Sequence, residues 1–442
     1  MAKKRVESID AFRGFTIFAM IFVIQVAGFR NLPQTFSQFG SAPVSTWKHA
    51  GEDGEAHEWA FYEGKTTATL TLPGKIIKSG DNGLYDVEVA LPDGNKEISN
   101  GVSIWTPIPL GEGREVIAKR KSAGDKLAFQ AVGIGCTFTD LVAPFFVFIV
   151  GVCIPLSRQS RGPDWWKHAL SRTLLLILAG IIYISLILKL SYWWGILQAI
   201  GIAYFMGAAF IQIPAAGRWV ALAAVCAIQV ACVRLFPWWT ALGNPEAKFL
   251  TLANPGGDPW RPLTVHCTPW GSISYGICTI FGTFIGEAIT SRTQSKIVRQ
   301  CLIVGLIGVV VGYALHCLGV PMHKDWVTAS YTIFTSGVGG FTFLLFYWLI
   351  DVQGISLWAK PLNIFGANAL LAYFMQPIVR IFSTALGTQP YFNSALGTMP
   401  PFDHWGVVGG VAWVGMAQGL AWTLLLMFVV WVCNRRNIYW KL

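Results

Sequence analysis

The composition of the chain is that of a membrane protein. The sequence has 442 residues, of which 54% are hydrophobic and only 13% are charged. Soluble proteins carry about 25% charged residues, so a soluble enzyme is disfavoured, and a disordered, collagenous or coiled-coil protein is excluded. The net charge is +10. The basic residues cluster in short loops between apolar runs, which is typical of membrane topology and argues against nucleic acid as a partner.

The first 125 residues divide into one helix and a polar segment. An apolar run over about 15–28 predicts an uncleaved first transmembrane helix. Residues 31–125 contain no run of spanning length and hold 13 of the 23 acidic residues. Alternating stretches at 66–72 and 85–91, with a turn signal at 92–94, predict a small β-rich insertion.

The rest of the chain predicts nine further transmembrane helices. The fold class is therefore an all-α polytopic membrane protein of about ten helices, with the β-rich insertion between helices 1 and 2. Three parts follow: the first helix in 1–30, the insertion in 31–125 and a nine-helix bundle in 126–442. Each apolar stretch is near the ~20 residues that cross a bilayer, and they lie at about 137–156, 171–190, 194–213, 218–236, 271–290, 299–319, 328–350, 362–385 and 406–432.

The charges of the loops predict the orientation. With ten helices, every basic cluster falls on one side of the membrane, which the positive-inside rule makes the cytoplasmic side. Both termini are then cytoplasmic, and the insertion faces outward together with the loops at 237–270 and 386–404. This asymmetry suits a multi-pass protein of a bacterial inner membrane, and an assembly into a homodimer is left open.

Charged residues at membrane depth are costly and are therefore candidates for function. Asp10 and Arg13 open the first helix with the i, i+3 spacing that places two side chains on one face. Asp140 opens the second helix, where a carboxylate complements the helix dipole. The structural alternatives are an interfacial ion pair for Asp10 and Arg13 and a helix cap for Asp140.

Other polar residues suggest a base and a path through the bundle. Histidine is the usual general base near neutral pH, and His49 lies close to the outer membrane edge in the predicted topology; a solvated loop histidine is the alternative. Gln198 and Asn368 lie inside predicted helices, where they either hydrogen-bond between helices or line a substrate path. No pattern typical of a metal or nucleotide-hydrolysis site is found, so no metal is expected.

Ordered motifs along the chain resemble the transmembrane acyltransferases of the heparan-α-glucosaminide N-acetyltransferase family. The resemblance covers nearly the whole chain except the insertion. The motifs are Ser-Ile-Asp-Ala-Phe-Arg-Gly at 8–14, Thr-Phe-Thr-Asp-Leu-Val-Ala-Pro-Phe-Phe-Val-Phe-Ile-Val-Gly at 137–151, Gly-Ile-Leu-Gln at 195–198 with Tyr204, Lys324 with Ser330-Tyr331, Gly-Ala-Asn-Ala-Leu at 366–370 and Ile-Tyr-Trp-Lys at 438–441.

The resemblance implies an acetyltransferase. Acetyl-CoA is then the cytoplasmic co-substrate, an amino sugar or glycan is the acceptor on the outer side, and a histidine there is catalytic. Lys48-His49-Ala50 matches the histidine segment of the family, which makes His49 the expected base and Asp140 its partner. Counting back from Asp140 without a gap reaches Gln130 instead, which is not a base.

The remaining site residues are assigned by position. Asp10, Arg13, Gln198 and Asn368 are expected at the CoA moiety, and Lys324 and Ser330 in the acceptor region. The chain departs from the family pattern by having Ala199, Thr268, Trp270 and Gln376 at motif positions. Two rival functions stay open: an amino-sugar transporter or permease, and a non-catalytic protein whose insertion binds glycan.

Overall fold

The computed structural model combines a large helical part with a smaller β-rich part. The strands all lie in the sequence between the first and second helices. The structure describes residues 6–26, 45–50, 56–60, 70–79, 84–91, 94–103, 112–113, 115–120, 128–131, 136–188, 194–235, 269–320, 322–324, 327–376 and 413–440.

The helices follow the predicted apolar stretches in order. A five-residue π turn, Trp348–Val352, continues α8. A helical stretch at 369–376 is α10. The other helices are α1 Glu7–Val26, α2 Phe138–Arg161, α3 Trp165–Leu188, α4 Ile196–Phe210, α5 Ala215–Leu235, α6 Pro269–Thr290, α7 Gln294–Cys317, α8 Ala329–Tyr347, α9 Lys360–Ala367 and α11 Trp413–Arg435.

Five helical stretches among the described residues have the length and composition to cross a membrane, so the chain is a multi-pass membrane protein. They are Phe138–Tyr183, which covers α2 and most of α3, then Ala215–Cys232, Trp270–Thr290, Gln294–Cys317 and Ala329–Val352. Two shorter apolar helices, Ile196–Phe210 and Gly419–Arg435, accompany them. The total of ten spans stays a prediction.

Large apolar side chains project outward from the peripheral helices. A soluble protein rarely leaves such contiguous apolar surface in water, whereas a bilayer accommodates it. The exposed side chains include Leu174 and Leu178 of α3, Val220 and Ile228 of α5, Leu306 and Val310 of α7, and Leu424 and Phe428 of α11. These faces are the ones that contact lipid.

Phe12 lies where α1, α2 and α8 meet. It is completely buried, and its ring centroid lies 5.7 Å from that of Phe145, 5.9 Å from Phe343 and 5.4 Å from Phe346. The first helix is thus a central element of the bundle rather than a peripheral anchor.

Helix α1 begins before the predicted apolar run. The run starts at about residue 15 and α1 begins at Glu7, so Asp10 and Arg13 lie in the first turns of the helix, as expected for residues that open it. The carboxylate of Asp351 accepts hydrogen bonds from the backbone N–H groups of Glu7 (3.2 Å) and Ser8 (3.1 Å) and so caps this end.

The described residues of the β-rich part form seven strands in antiparallel pairs. A five-stranded sheet has the order β5-β4-β3-β6-β7, and β1 pairs with β2. Inward-facing residues such as Tyr85, Val87 and Val89 of β4 alternate with more exposed ones, as expected for a strand with one buried face. The strands are β1 Ser45–Ala50, β2 Ala56–Ala60, β3 Leu70–Ser79, β4 Leu84–Ala90, β5 Lys96–Ser103, β6 Glu115–Arg120 and β7 Ala128–Ala131.

One of the two predicted strands matches the structure closely, and the other matches it only at its end. The stretch 85–91 corresponds to β4. Of the turn signal at 92–94, residues 92 and 93 lie outside the described residues, and the Gly94 N–H donates to the carbonyl of Leu91 at 3.0 Å. The stretch 66–72 matches β3 only at its last residues, and 66–69 lie outside the described residues. β3 runs on because Gly74, without a side chain, lets Val87 and Val116 of the neighbouring strands pack over it.

Candidate functional site

A buried carboxylate–ammonium pair lies at the N-terminal end of α2. Asp140, in the first turn of α2, is fully buried, and its Oδ2 accepts hydrogen bonds from the backbone N–H and the hydroxyl of Thr137, each at 3.0 Å. The Nζ of Lys324 lies 3.8 Å from Oδ1 of Asp140, and the lysine side chain is 9% exposed. The N-terminal end of the α2 dipole and the ammonium group thus both lie beside the carboxylate. We call this pair the Asp140–Lys324 site.

Hydrogen bonds from α5 and α8 hold the region around Lys324 and Asp140. The hydroxyl of Tyr331 in α8 donates to the backbone carbonyl of Asp140 at 2.5 Å. The amide of Gln229 in α5 donates to the carbonyl of Val327 at 3.1 Å and accepts from the N–H of Ala329 at 2.9 Å. Val327 has a φ of 45°, which bends the chain before α8. The ammonium group is therefore held by an ordered turn.

Ser330 lies next to this turn but forms part of its interior. It is completely buried, and its Oγ is 3.2 Å from the Oγ1 of Thr328. The Thr328 hydroxyl in turn accepts a hydrogen bond from the backbone N–H of His323 at 3.1 Å. Ser330 and Lys324 are thus close to the same turn, as the sequence placed them. The role of Ser330 in acceptor binding stays a prediction.

Cys136 adds a thiol beside the Asp140–Lys324 site. Removal of water by packing raises the pKa of the Cys136 thiol well above its usual value, Asp140 raises it further, and Lys324 opposes them. The Sγ lies 3.7 Å from the carbonyl oxygen of Thr137. The thiol therefore stays protonated at neutral pH, which makes it a poor nucleophile.

A deep cavity of about 620 Å³ runs along α2 towards its C-terminal end. The size is within the range of small-molecule sites. We call it the α2 cavity. One part of its wall is cationic or polar, formed by Arg13, Ser157, Arg161, His168, Arg172, Tyr439 and Trp440, and the rest is mostly apolar, formed by Ile17, Met20, Phe146, Ile149, Val150, Cys153, Leu176, Ile196, Leu197, Ile200, Gly366, Ala367, Ala369, Leu370 and Tyr373.

Arg13 reaches the cavity because α1 and α9 cross closely. A Cβ atom on Gly14 would lie 1.8 Å from the carbonyl oxygen of Leu362, and one on Gly366 would lie 2.0 Å from that of Asp10. Only glycine permits this approach at either position. Arg13 donates to the carboxylate of Asp10 at 2.7 Å, so the predicted pair forms. Of the two, Arg13 contributes to the cavity wall.

The two predicted polar residues of the later helices are held inside the protein. Gln198 is 1% exposed, and its Oε1 accepts a hydrogen bond from the backbone N–H of Gly195 at 3.1 Å. Leu197 and Ile200 of the same helix line the cavity. Asn368, also 1% exposed, bonds to the segment that follows α11. A direct contact of either amide with CoA stays a prediction.

The predicted base lies in the β-rich part. The backbone of His49 forms strand β1, where it is paired with His57 of β2, and β1 also contacts β7. The ungapped alternative, Gln130, lies in β7, opposite Ile117 of β6. The side chain of His49 lies outside the described part of the chain. The two candidate positions therefore lie on strands that contact each other. Strand β7 ends five residues before Cys136.

A second ion pair joins α5 to α6. Arg218 is 1% exposed; its guanidinium donates to the hydroxyl of Thr283 at 2.9 Å and to the carboxylate of Glu287, and it lies 4.8 Å from the ring centroid of Phe284. The side chain of Glu287 is 40% exposed. These contacts are internal to the helix pair and outside the α2 cavity.

Helix α2 connects the Asp140–Lys324 site to the cavity. At 1.5 Å per residue, the lining residues Phe146 and Arg161 are about 22 Å apart along the helix axis, and Asp140 lies about 9 Å beyond Phe146. The hydrocarbon core of a bilayer is about 30 Å thick. One helix therefore carries a cationic group at one end, an apolar cavity wall in the middle and a buried carboxylate at the other end.

Sequence reasoning missed several cavity residues. His168 lies in the segment between helices 2 and 3, and Arg161 and Arg172 belong to the basic cluster there, which by itself indicates only the topology. Tyr439 and Trp440 belong to a motif with no assigned role. The available signal was the combination of these cations with Arg13, but nothing in the sequence shows that the two groups converge on one cavity.

Comparisons with known proteins agree with the motifs. The family model described as "Heparan-alpha-glucosaminide N-acetyltransferase, catalytic" matches residues 125–296, which include α2 to α6. Heparan-alpha-glucosaminide N-acetyltransferase of Mus musculus is 23% identical, with 70% of this chain and 55% of the relative covered. The Homo sapiens protein of the same name is 24% identical with the same coverage.

These comparisons show what the chain is similar to. The chain is a multi-pass membrane protein, and residues 125–296 are similar to a catalytic domain of membrane N-acetyltransferases. The predicted resemblance is confirmed, because the chain is similar to the heparan-α-glucosaminide N-acetyltransferase family both in the matched domain and in the two relatives. The chain spans about half the length of the curated relatives that it matches.

Proposed function

We propose that the protein is a membrane-embedded enzyme that transfers an acetyl group from acetyl-CoA to an amino sugar or glycan. The observation that carries this proposal is the α2 cavity, which is cationic at one end and apolar along its length. CoA has a matching division, because its phosphates are anionic and its pantetheine arm is long and less polar. The similarity to N-acetyltransferases supports the same donor.

The cationic end of the cavity suits the phosphates of CoA. Arg161 ends α2, while His168 and Arg172 lie near the start of α3, and Arg13 approaches from α1. Guanidinium groups form charge-assisted, often bidentate hydrogen bonds with phosphate. The apolar wall along α2 then suits the pantetheine arm and directs the thioester towards Phe146. This arrangement supports acetyl-CoA as co-substrate.

The acceptor is expected near the Asp140–Lys324 site. The amine of the acceptor attacks the thioester carbonyl, so that a C–N bond forms, the C–S bond breaks and the CoA thiolate leaves. We assign His49 as the base that takes the proton from the amine. Asp140 would orient or charge-balance the protonated histidine, and Lys324 would bind acceptor oxygen atoms.

The location follows from the loop charges. The basic end of the α2 cavity carries Arg161 and Arg172, which the positive-inside rule places in the cytoplasm, where acetyl-CoA is made available. The β-rich part and the Asp140–Lys324 site then face outward, and both termini are cytoplasmic. We propose a bacterial inner membrane, with ten spans, as the setting. The lipid bilayer is accordingly a partner of the apolar outer faces.

The test is acetyl transfer by the purified protein. In detergent, labelled acetyl-CoA and glucosamine are incubated with wild type, with His49→Ala and with His57→Ala, the matched variant on the paired strand. We expect acetylated sugar from wild type and from His57→Ala but not from His49→Ala. Activity that survives in His49→Ala would assign the base elsewhere.

Two other outcomes would replace the proposal. CoA binding without transfer to glucosamine would reject this acceptor, and a panel of hydroxyl and amine sugars would then be compared. The absence of CoA binding would reject the donor assignment and favour an amino-sugar transporter, which uptake of labelled glucosamine into proteoliposomes would test. Glycan binding without either activity would favour a non-catalytic protein.

A further inference from the structure

The segment 438–440 folds back from the end of α11 onto Asn368. The Oδ1 of Asn368 accepts a hydrogen bond from the backbone N–H of Trp440 at 3.0 Å. Its Nδ2 donates to the carbonyl of Ile438 at 2.9 Å and to the Oδ1 of Asn434 at 3.1 Å. Because a side-chain amide has two N–H donors, both donors of Asn368 are used within the protein. The fold of this segment therefore depends on one buried amide.

A second asparagine strengthens the attachment. The Nδ2 of Asn434, near the end of α11, donates to the carbonyl of Ile364 in α9 at 3.0 Å. The ring of Trp440 packs against that of Phe374 in α10, with centroids 4.6 Å apart. Three elements of the bundle thus hold the segment, which makes it a fixed wall in this structure.

The held segment presents aromatic rings to the α2 cavity. Tyr439 and Trp440 both line the cavity, and Tyr439 is 42% and Trp440 45% exposed. Arg13 lies in the same wall. Aromatic faces beside a cation are a common arrangement for binding the base of a nucleotide, because the base stacks on the ring while the phosphates meet the cation.

We propose that Tyr439 and Trp440 bind the adenine ring of the acyl-CoA donor, and that Asn368 is the positioning residue that holds them at the cavity. This inference rests on the proposed donor function and adds the subsite for the base. Asn368 acts through the segment rather than by touching CoA, since its own donors are occupied. The pantetheine end of the donor is expected to be independent of these rings.

The test compares two ligands that differ in the nucleotide. Equilibrium binding of CoA and of 4′-phosphopantetheine, which lacks the adenosine 3′,5′-bisphosphate part, is measured with wild type, Tyr439→Ala and Trp440→Ala in detergent. We expect about a tenfold loss of CoA affinity in each variant, the effect of one lost stacking contact. The affinity for 4′-phosphopantetheine should not change. Trp440→Phe should restore most of the CoA affinity.

Asn368→Asp tests the positioning role. The carboxylate keeps the acceptor for the Trp440 N–H and loses both donors, so we expect weaker CoA binding with unchanged binding of 4′-phosphopantetheine. Trp431→Ala is the control, because this aromatic residue of α11 is 38% exposed and is not among the lining residues of the cavity. Should Asn368→Asp fail to fold, the exposed Trp440 still provides the test.

The outcomes separate this proposal from the proposed function. If wild type binds neither ligand, the donor function itself is wrong. If wild type binds CoA and the Tyr439→Ala and Trp440→Ala variants bind it equally well, the donor site stands and the base subsite is wrong; the rings are then membrane-interface anchors. An equal loss of affinity for CoA and for 4′-phosphopantetheine would also reject the subsite. It would show that the substitution disrupts the cavity as a whole.

Discussion

Lys324 and Asp140 lie on different elements, yet the Nζ of the lysine is 3.8 Å from Oδ1 of the buried aspartate. The lysine belongs to the turn before α8, and the aspartate to the first turn of α2. Tyr331 ties the same two elements together through the carbonyl of Asp140. The charge pair is thus the point at which the proposed acceptor region is assembled.

Replacing Lys324 should destabilise the protein. Lys324→Met leaves the Asp140 carboxylate buried without its nearby cation, and the loss of one partner of a buried pair typically costs about 3–5 kcal/mol. We expect a clear fall in the thermal unfolding temperature in detergent. The double variant Lys324→Met with Asp140→Asn should recover part of the loss.

Lys296→Met is the matched control for that series, because Lys296 is an exposed residue of α7. Its unfolding temperature should equal that of wild type. If Lys324→Met also unfolds at the wild-type temperature, the pair contributes nothing to the fold and the account of the assembled acceptor region is wrong.

Gly14 should not tolerate a methyl group. In a helix, alanine is usually more favourable than glycine by about 1 kcal/mol. At Gly14, however, the added Cβ would lie 1.8 Å from the backbone oxygen of Leu362, so α1 and α9 must separate. We expect Gly14→Ala to lower both the unfolding temperature and the affinity for acetyl-CoA, because Arg13 moves away from the cavity.

Gly339→Ala provides the comparison for Gly14→Ala. There the nearest atom to an added Cβ is Cδ1 of the Phe148 ring at 3.3 Å, and a ring can shift where a backbone cannot. Its effect should be much smaller. Equal effects of the two variants, measured by thermal unfolding, would contradict the close crossing of α1 and α9.

Cys136 should react slowly with thiol reagents at neutral pH. Packing raises the pKa of its thiol, so the thiolate, which is the reactive form, is scarce, and the labelling rate should rise by about tenfold per pH unit below the pKa. The measurement is maleimide labelling at several values between about pH 6.5 and 8.5, with the labelled peptide quantified by mass spectrometry. The exposed Cys317 gives the reference rate.

The charged neighbours of Cys136 predict in which direction each substitution changes its labelling rate. Lys324 lowers the thiol pKa and Asp140 raises it, so Lys324→Met should slow the labelling and Asp140→Asn should speed it. Labelling of Cys136 as fast as that of Cys317 at pH 7, or no response to either variant, would show that the thiol is not in this environment.

The helices could be predicted from the sequence because burial in lipid leaves long apolar stretches. The pairing of Asp10 with Arg13 could also be predicted, since both lie on one helix and their spacing sets the geometry. The cap of α1 could not be predicted, because it comes from Asp351, a residue at the far end of α8. Hydropathy contains no information on such a partner.

The candidate site was predictable only in part, because its residues also come from elements that are far apart in the sequence. The motifs indicated Asp140 and Lys324 separately, but their approach depends on the packing of α8 against α2. The sequence indicates only loop cations at Arg161 and Arg172, whereas the end of α2 and the start of α3 place both in the wall of one cavity. Periodicity predicts which face of a helix is buried, and it does not predict which other helix covers that face.

We propose that the α2 cavity binds acetyl-CoA through its cationic end, where Arg161 and Arg172 lie. The most direct measurement is the affinity of the purified protein for acetyl-CoA in Arg161→Gln and Arg172→Gln, with Arg299→Gln of an exposed site on α7 as control. We expect each cavity variant to bind about tenfold more weakly, with a smaller dependence on salt, and the control to bind as wild type does. Wild-type affinity in both cavity variants would contradict the account.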